Sequence, residues 1–180
     1  MAKWIIDPDH SVAAFSIKHM MLAHVRGQFH GISGAIEFDP KDPARSSVYA
    51  EIDVSTVYTG IKKRDEHLRN EDFFNASKFP KMIFKSTRVE VTGPHTARVG
   101  GDLTIAGITR SVLLDVEYFG PVKAPYGGEI GIGFVASTRI NREDFGIKWN
   151  VPMEAGMLLP SEADITLDIE ADLAEGTVSL

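Results

Sequence analysis

The sequence predicts an all-β protein: an eight-stranded antiparallel up-and-down barrel, extended along its axis, with short helical excursions. Three observations carry this. Apolar residues alternate with polar ones at a period of two over most of the chain. Short turn signals separate about eight such runs. Most of the runs follow one another directly through short turns, as in an antiparallel meander. A meander of that kind removes its exposed edges by closing on itself.

The first run is Ala13, Phe15 and Ile17. From Val25 to Phe38 the apolar set starts on Val25 and Phe29 but ends on Ile32, Ile36 and Phe38. A change of parity requires a bulge or a bend, and Gly31 and Gly34 sit where it occurs. Val48, Ala50, Ile52 and Val54 then oppose Tyr49, Glu51 and Asp53. Met82 to Val91 changes parity again, from Met82 and Phe84 to Val89 and Val91. Thr92-Gly93-Pro94-His95 leads into Ala97, Val99, Gly101, Leu103 and Ile105. Ala106-Gly107 leads into Val112, Leu114, Val116 and Tyr118, and Tyr126-Gly127-Gly128 precedes Ile130, Ile132, Phe134, Ala136 and Thr138. The last run is the cleanest: Ala163, Ile165, Leu167, Ile169, Ala171 and Leu173 interleave with Asp164, Thr166, Asp168, Glu170 and Asp172. One face is dry and the other meets water.

Two segments break the alternation. Residues 56–81 are charged, with helix-like spacing around Glu66 to Phe74. Residues 142–160 join Asn-Arg-Glu-Asp-Phe-Gly to a softer apolar stretch, Met153 to Leu159. Long connections on a barrel act as lids or end caps.

Composition limits the function. The 180 residues form one expected domain, 1–180, with 43% apolar and 24% charged residues. A net charge of -6 makes the chain a poor candidate for nucleic acid or for an anionic membrane surface, since both call for basic patches. With no cysteine there is no disulfide framework, thiolate metal site or thiol nucleophile. The N-terminus has no signal-like apolar run and nothing approaches a membrane-spanning helix, so the chain as given reads as cytoplasmic, or periplasmic if a leader was removed, with no stable membrane insertion.

The polar residues form no catalytic constellation. His19 and His24 are five residues apart, about 140 degrees out of register on a helix and on opposite faces of a strand. No His-Glu-x-x-His or metal-spaced carboxylate cluster is present, so no metal site is expected and the histidines are read as capping the end of a sheet. His67 among Asp65, Glu66 and Glu71 reads as the solvated face of a short helix, with Arg64 and Asp65 as a tie to the barrel. Arg142 and Asp144 read as a turn with an internal ion pair. Asp144-Phe145-Gly146 lacks every companion motif of a kinase, and Ser11 beside His10 has no nucleophile elbow. The inward set contains many small residues (Ala13, Ala50, Ala97, Gly101, Ala136, Ala163, Ala171), and an eight-stranded barrel is just wide enough to be filled or to hold one ligand. The sequence leaves both outcomes open.

In chain order, the motifs Asp7, His10-Ser11, Phe15, His19, Arg26-Gly27 and Phe29 are followed by Thr59-Gly60, Arg64-Asp65, His67-Leu68 and Asp72-Phe73. Phe79-Pro80, Phe84, Ser86-Thr87, Gly101, Leu103-Thr104-Ile105, Gly107-Ile108-Thr109 and Arg142 with Asp144-Phe145-Gly146 complete the series. This order resembles the YceI family of lipocalin-like polyisoprenoid-binding proteins, over roughly Trp4 to Leu173. The resemblance implies a lipocalin-like barrel and a bound polyisoprenoid or isoprenoid quinone in an apolar channel, with no cofactor besides. It implies storage or transport rather than catalysis, and pairing into a homodimer. The expected channel lining is Ala13, Phe15, Ile17, His19, Met20, Met21, Leu22, Phe29, Ile36, Phe84, Leu103, Leu114, Phe134, Ala136, Ile165 and Leu167, with His19 and Arg26 satisfying backbone groups at the barrel end or, as the alternative, standing near a head group. Methionines suit a flexible ligand, so Met20 and Met21 are placed beside the channel. The competing readings are an enzyme acting on a lipid or small apolar substrate through His19, His67 or Asp144, and a filled barrel serving as an interaction module.

Overall fold

The computed structural model describes residues 1–175. One antiparallel sheet holds β1 (Ala2–Ile6), β2 (Val12–His19), β3 (Ala23–Phe29), β4 (Ile32–Phe38), β5 (Ser47–Asp53), β6 (Lys81–Val91), β7 (Thr96–Ile105), β8 (Ile108–Lys123), β9 (Ile130–Asn141) and β12 (Glu162–Leu173). A two-residue hairpin, β10 (Pro152–Met153) with β11 (Gly156–Met157), and one helix, α1 (Lys62–Arg69), lie in the two long connections.

β1 and β2 are two halves of one barrel stave. β1 pairs with β4 and β12, whereas β2 pairs with β3 and β12. β3 and β4 are likewise halves of the next stave. With β5 to β9 and β12 this makes a closed eight-stranded meander, sealed where Trp4, Ile5 and Ile6 face Leu173, Asp172 and Ala171. The parity change expected near Gly31 is the joint between β3 and β4. Gly31 has φ +63° and Gly34 φ +143°, and a Cβ on Gly34 would lie 2.1 Å from the Tyr49 carbonyl oxygen. The second parity change is a bulge in β6 between Ser86 and Arg88.

The joint between β1 and β2 is stitched to β12. Buried Ser11 donates its hydroxyl to the Glu170 carbonyl (3.3 Å) and accepts from the Glu170 amide (3.1 Å). The Asp7 amide also donates to the Glu170 carbonyl, and His10 Nδ1 lies 2.6 Å from Asp7 Oδ2. The Asp-x-x-His-Ser motif is therefore a corner that lets one stave break without losing its neighbour.

The two barrel ends differ. At the far end the turns are short, and Trp4, fully buried, donates its indole N–H to the Phe38 carbonyl. Phe38 packs edge-on against Tyr118 and Phe134, with ring centroids 4.8 and 5.4 Å apart, and Ile132 and Ala171 complete this plug. At the other end, residues 54–80 lie beside β3, where β5 has already ended. Gln28 and Tyr58 exchange both backbone hydrogen bonds, and Val54 and Val57 are buried beneath. The helix falls at Lys62–Arg69, earlier than the spacing around Glu66 to Phe74 suggested. Residues after it are held in turns by the Asn70 and Asn75 carbonyls. Asp65 is buried and accepts from the Thr59 amide and hydroxyl (2.8 and 2.5 Å), while Arg64 binds the same Thr59 hydroxyl and carbonyl. That clamp closes the excursion on itself; its links to the barrel are the Gln28–Tyr58 bridge and the hydrogen bonds between Thr56 and the His30 backbone.

Two outcomes follow. Trp4→Ala empties the plug and lowers unfolding free energy by about 3–5 kcal/mol in a denaturant titration. His10 is exposed, and the hydrogen bond its ring donates to the Asp7 carboxylate raises its pKa above the ordinary histidine value. Its stabilising contribution is thus complete below the unfolded pKa and fades as pH rises through the folded one. An NMR titration should show the His10 ring moving to lower pKa in Asp7→Asn.

Candidate ligand-binding site: a two-chambered barrel interior

The pleat sends the alternating apolar set of every stave inward, and at mid-barrel these side chains do not meet. Phe15, Val48, Ala50, Ile52, Leu103, Phe134 and Leu167 point to the core yet stay only partly buried, because they border empty space. The first chamber has a volume of about 210 Å³ and reaches from the far-end turns, at Pro43, Gly93 and Thr96, to the middle of the barrel. Its walls are almost wholly hydrocarbon, and the Tyr118 hydroxyl among them donates to the Pro94 carbonyl. The second chamber, about 310 Å³, lies under the two long connections at the α1 end.

Phe15, Phe29, Met82, Ile105, Ile140 and Ile165 border both chambers and form the waist between them. Gly27 makes this waist possible. It faces Phe15 across the β2–β3 pair, and a Cβ there would fall 2.3 Å from the Phe15 ring. Without a side chain on β3, the ring lies over the strand, 5.8 Å from Phe29, which in turn meets Phe74 edge-on at 5.2 Å.

The second chamber carries the polar groups. His19, Arg64, His67, Arg142 and Trp149 border it beside Phe73, Phe74, Leu158 and Leu159. His67 stands edge-on to both Phe73 and Trp149, at 5.0 and 4.9 Å, and its Nε2 lies 2.8 Å from Asp72 Oδ2. Arg142, 6% exposed, has no ion pair with Asp144, which points to solvent. Instead Nε donates to the Pro160 carbonyl (2.9 Å), and Nη1 donates to the carbonyls of Ile147 (2.8 Å) and Trp149 (2.9 Å). Its Nη2 is buried with no partner among the described residues. Burial pulls the guanidinium pKa below its ordinary value. The expected turn with an internal ion pair is therefore a buried staple, because the connection folds back over the barrel mouth and offers carbonyls where a carboxylate was anticipated.

Of the expected lining, Ala13, Phe15, Phe29, Ile36, Phe84, Leu103, Leu114, Phe134, Ala136, Ile165 and Leu167 border the first chamber. Ile17 and His19 border the second. Met20, Met21 and Leu22 border neither: the β2–β3 hairpin runs past the barrel rim and leaves them 42, 62 and 82% exposed. Arg26 is exposed on the outer face. His19 and His67 share the second chamber, but Asp144 is not brought to them. Arg142, Arg64 and Trp149 were not foreseen as lining; the one available signal was a polar cluster in each pattern-breaking segment.

One constellation had no local signature. Asp7, His10 and Glu170 bring their ligand atoms within 4.8 Å of one another on the outer surface. Glu170 is 160 residues further along than His10, so only barrel closure unites them.

Arg142→Lys replaces a planar fork holding three carbonyls with a single point donor. The expected loss is about 1.5–3 kcal/mol of stability, with faster amide exchange at Leu158 and Leu159. Denaturant titration and hydrogen exchange read the two effects.

The YceI-like domain pattern matches residues 4–171. A UPF0312 protein of Photorhabdus laumondii is 35% identical over 165 residues, covering 92% of this chain and 82% of its own. Among solved structures, Burkholderia cenocepacia BcnA superimposes with a TM-score of 0.78 at 23% identity, covering 92% of this chain and 98% of its own. A polyisoprenoid binding domain from Saccharophagus degradans gives 0.70 at 14% identity, covering 97% and 100%. Pattern, relative and architecture agree: the chain belongs to the YceI-like family.

Proposed function

We propose that this protein binds a long-chain polyisoprenoid lipid without chemical turnover and stores or carries it, with an isoprenoid quinone or a quinone precursor as the ligand class. The observation that carries this is the distribution of polarity inside the barrel. Hydrocarbon lines the first chamber and the waist, and the polar side chains are gathered at one end, in the second. An isoprenoid with a polar head has the same asymmetry. The tail would occupy the first chamber and cross the waist, and the head would stand among His67, Arg64 and Arg142. The Saccharophagus degradans domain, described as polyisoprenoid-binding, shares the architecture and supports the reading.

The energetics suit a carrier. A dry cavity of about 150 Å³ takes a six-carbon ring, so on that scale the two chambers have room for about four isoprene units before any side chain moves. Each buried methylene is worth about 0.8 kcal/mol against water. The tail's other home is a bilayer, where it is already dry. Transfer between membrane and barrel is then close to neutral in the apolar term, which permits loading and release. The polar end selects the head, and it is there that a net preference would be set.

Native mass spectrometry of freshly purified protein tests the proposal. A bound species whose mass is built from five-carbon increments is expected. Repeated recovery of empty protein, together with no uptake of an added polyprenyl quinone, overturns it. Ala136→Phe intrudes on the first chamber and should weaken binding about tenfold or more, the equivalent of roughly two methylenes displaced. The melting temperature of the empty variant checks that the barrel is intact.

A further inference from the structure

The second chamber has a rim that nothing inside the barrel explains. The β2–β3 turn projects Met20, Met21 and Leu22 into solvent. The turn closes with the Leu22 amide donating to the His19 carbonyl, and both central residues are left-handed, Met20 at φ 53° and Met21 at φ 57°. Asn and Gly are the residues that suit such a turn; two methionines there are not a choice made for the backbone. Beside it stands the β10–β11 hairpin, with Val151 and Met157 also exposed. The two are joined, because the Met20 amide donates to the Leu158 carbonyl and the Leu158 amide donates to the Val151 carbonyl. Asn150 braces the second hairpin by binding Leu159 on both its side-chain atoms. The pair forms one held apolar lip, continuous with the chamber through His19, Leu158 and Leu159.

The charge around the lip runs against that of the chain. Residues 12–29 contain Lys18, His19, His24 and Arg26 and no acidic residue, in a protein of net charge -6. Lys18, His24 and Arg26 are exposed. The nearest acids of β12, Glu162 and Asp164, already face Arg139 (3.7 and 2.7 Å), and the second hairpin adds Glu154 alone. Exposed Met and Leu flanked by cations are the chemistry of a surface that dips into an anionic bilayer without crossing it.

We propose that the twin-hairpin lip docks this protein on an anionic lipid bilayer, with Met20, Met21 and Leu22 among the acyl chains and Lys18 and Arg26 at the headgroups. This sets the mouth of the second chamber against the membrane, so that an isoprenoid passes between two dry phases. The inference rests on the barrel being a lipid carrier, but docking itself needs no ligand.

The test is flotation of the full chain with vesicles of phosphatidylethanolamine and phosphatidylglycerol, compared with phosphatidylcholine alone. Binding is expected on the anionic vesicles and should fall with added salt. Met20→Asn/Met21→Gly/Leu22→Ser gives the turn residues that favour its geometry, so the barrel should fold at least as well. The bound fraction should nevertheless drop about tenfold or more. Lys18→Ser/Arg26→Ser should weaken binding to anionic vesicles about fivefold per cation removed. Wild-type protein that fails to float, or a triple variant that floats equally well, overturns the proposal. Uptake of a polyprenyl quinone from dispersed solution, measured on the same proteins, separates the two readings. Flotation without uptake removes the carrier function and leaves the docking; uptake without flotation removes the docking alone.

Discussion

Closure of a pleated sheet on itself is the constraint on which the rest of this structure depends. Side chains on successive residues leave a strand on opposite faces, so a closed sheet has an inside and an outside with no third option. Once Trp4 to Ile6 seal against Ala171 to Leu173, every inward parity along eight staves is committed to one enclosed volume. Whether that volume is solid or hollow depends on side-chain size. Near the far end Trp4, Phe38, Tyr118 and Ile132 fill it. At mid-barrel Ala13, Ala50 and Ala136 sit opposite side chains that cannot span the gap, and the first chamber results.

Keeping a hollow costs stability, since the walls forgo the dispersion contacts that a packed core would supply. The compensations are visible. The ladder is continuous around the barrel, and the breaks within staves are stitched by side chains such as Ser11 on Glu170. The far-end plug is dense and aromatic, and the α1 end is covered by connections that carry their own hydrogen bonds. Any apolar molecule that filled the chambers would return the missing contacts and so stabilise the barrel.

The division of labour between staves and connections gives the interior its polarity. Strands contribute hydrocarbon because alternation places their polar residues outside. The polar residues of the second chamber come mainly from elsewhere: Arg64 and His67 from α1, Trp149 and the partners of Arg142 from the connection after β9. The Arg142 guanidinium is tied to three carbonyls of that connection, which ties the cover of the chamber to a charge the chamber must tolerate. The hairpin lip extends the same end outward, so the barrel has one end packed with aromatic side chains and one end covered by connections that carry polar groups and an exposed apolar lip.

What the sequence determined by itself is everything governed by the period-two rule. The runs from Val48 to Ile52, Ala97 to Ile105, Val112 to Tyr118, Ile130 to Thr138 and Ala163 to Leu173 are strands with the inward parity expected, and the parity changes near Gly31 and in β6 are the joint and the bulge. Burial of alternate residues is a local property, and the chain carries it residue by residue. The tertiary structure alone decided the features that depend on where connections fold back. It placed Met20, Met21 and Leu22 beyond the rim, took Arg142 from an expected partner to three carbonyls, and brought His67 beneath Trp149. Asp7, His10 and Glu170 meet for the same reason. These contacts join residues far apart in the chain through irregular backbone, and no periodicity encodes such distances.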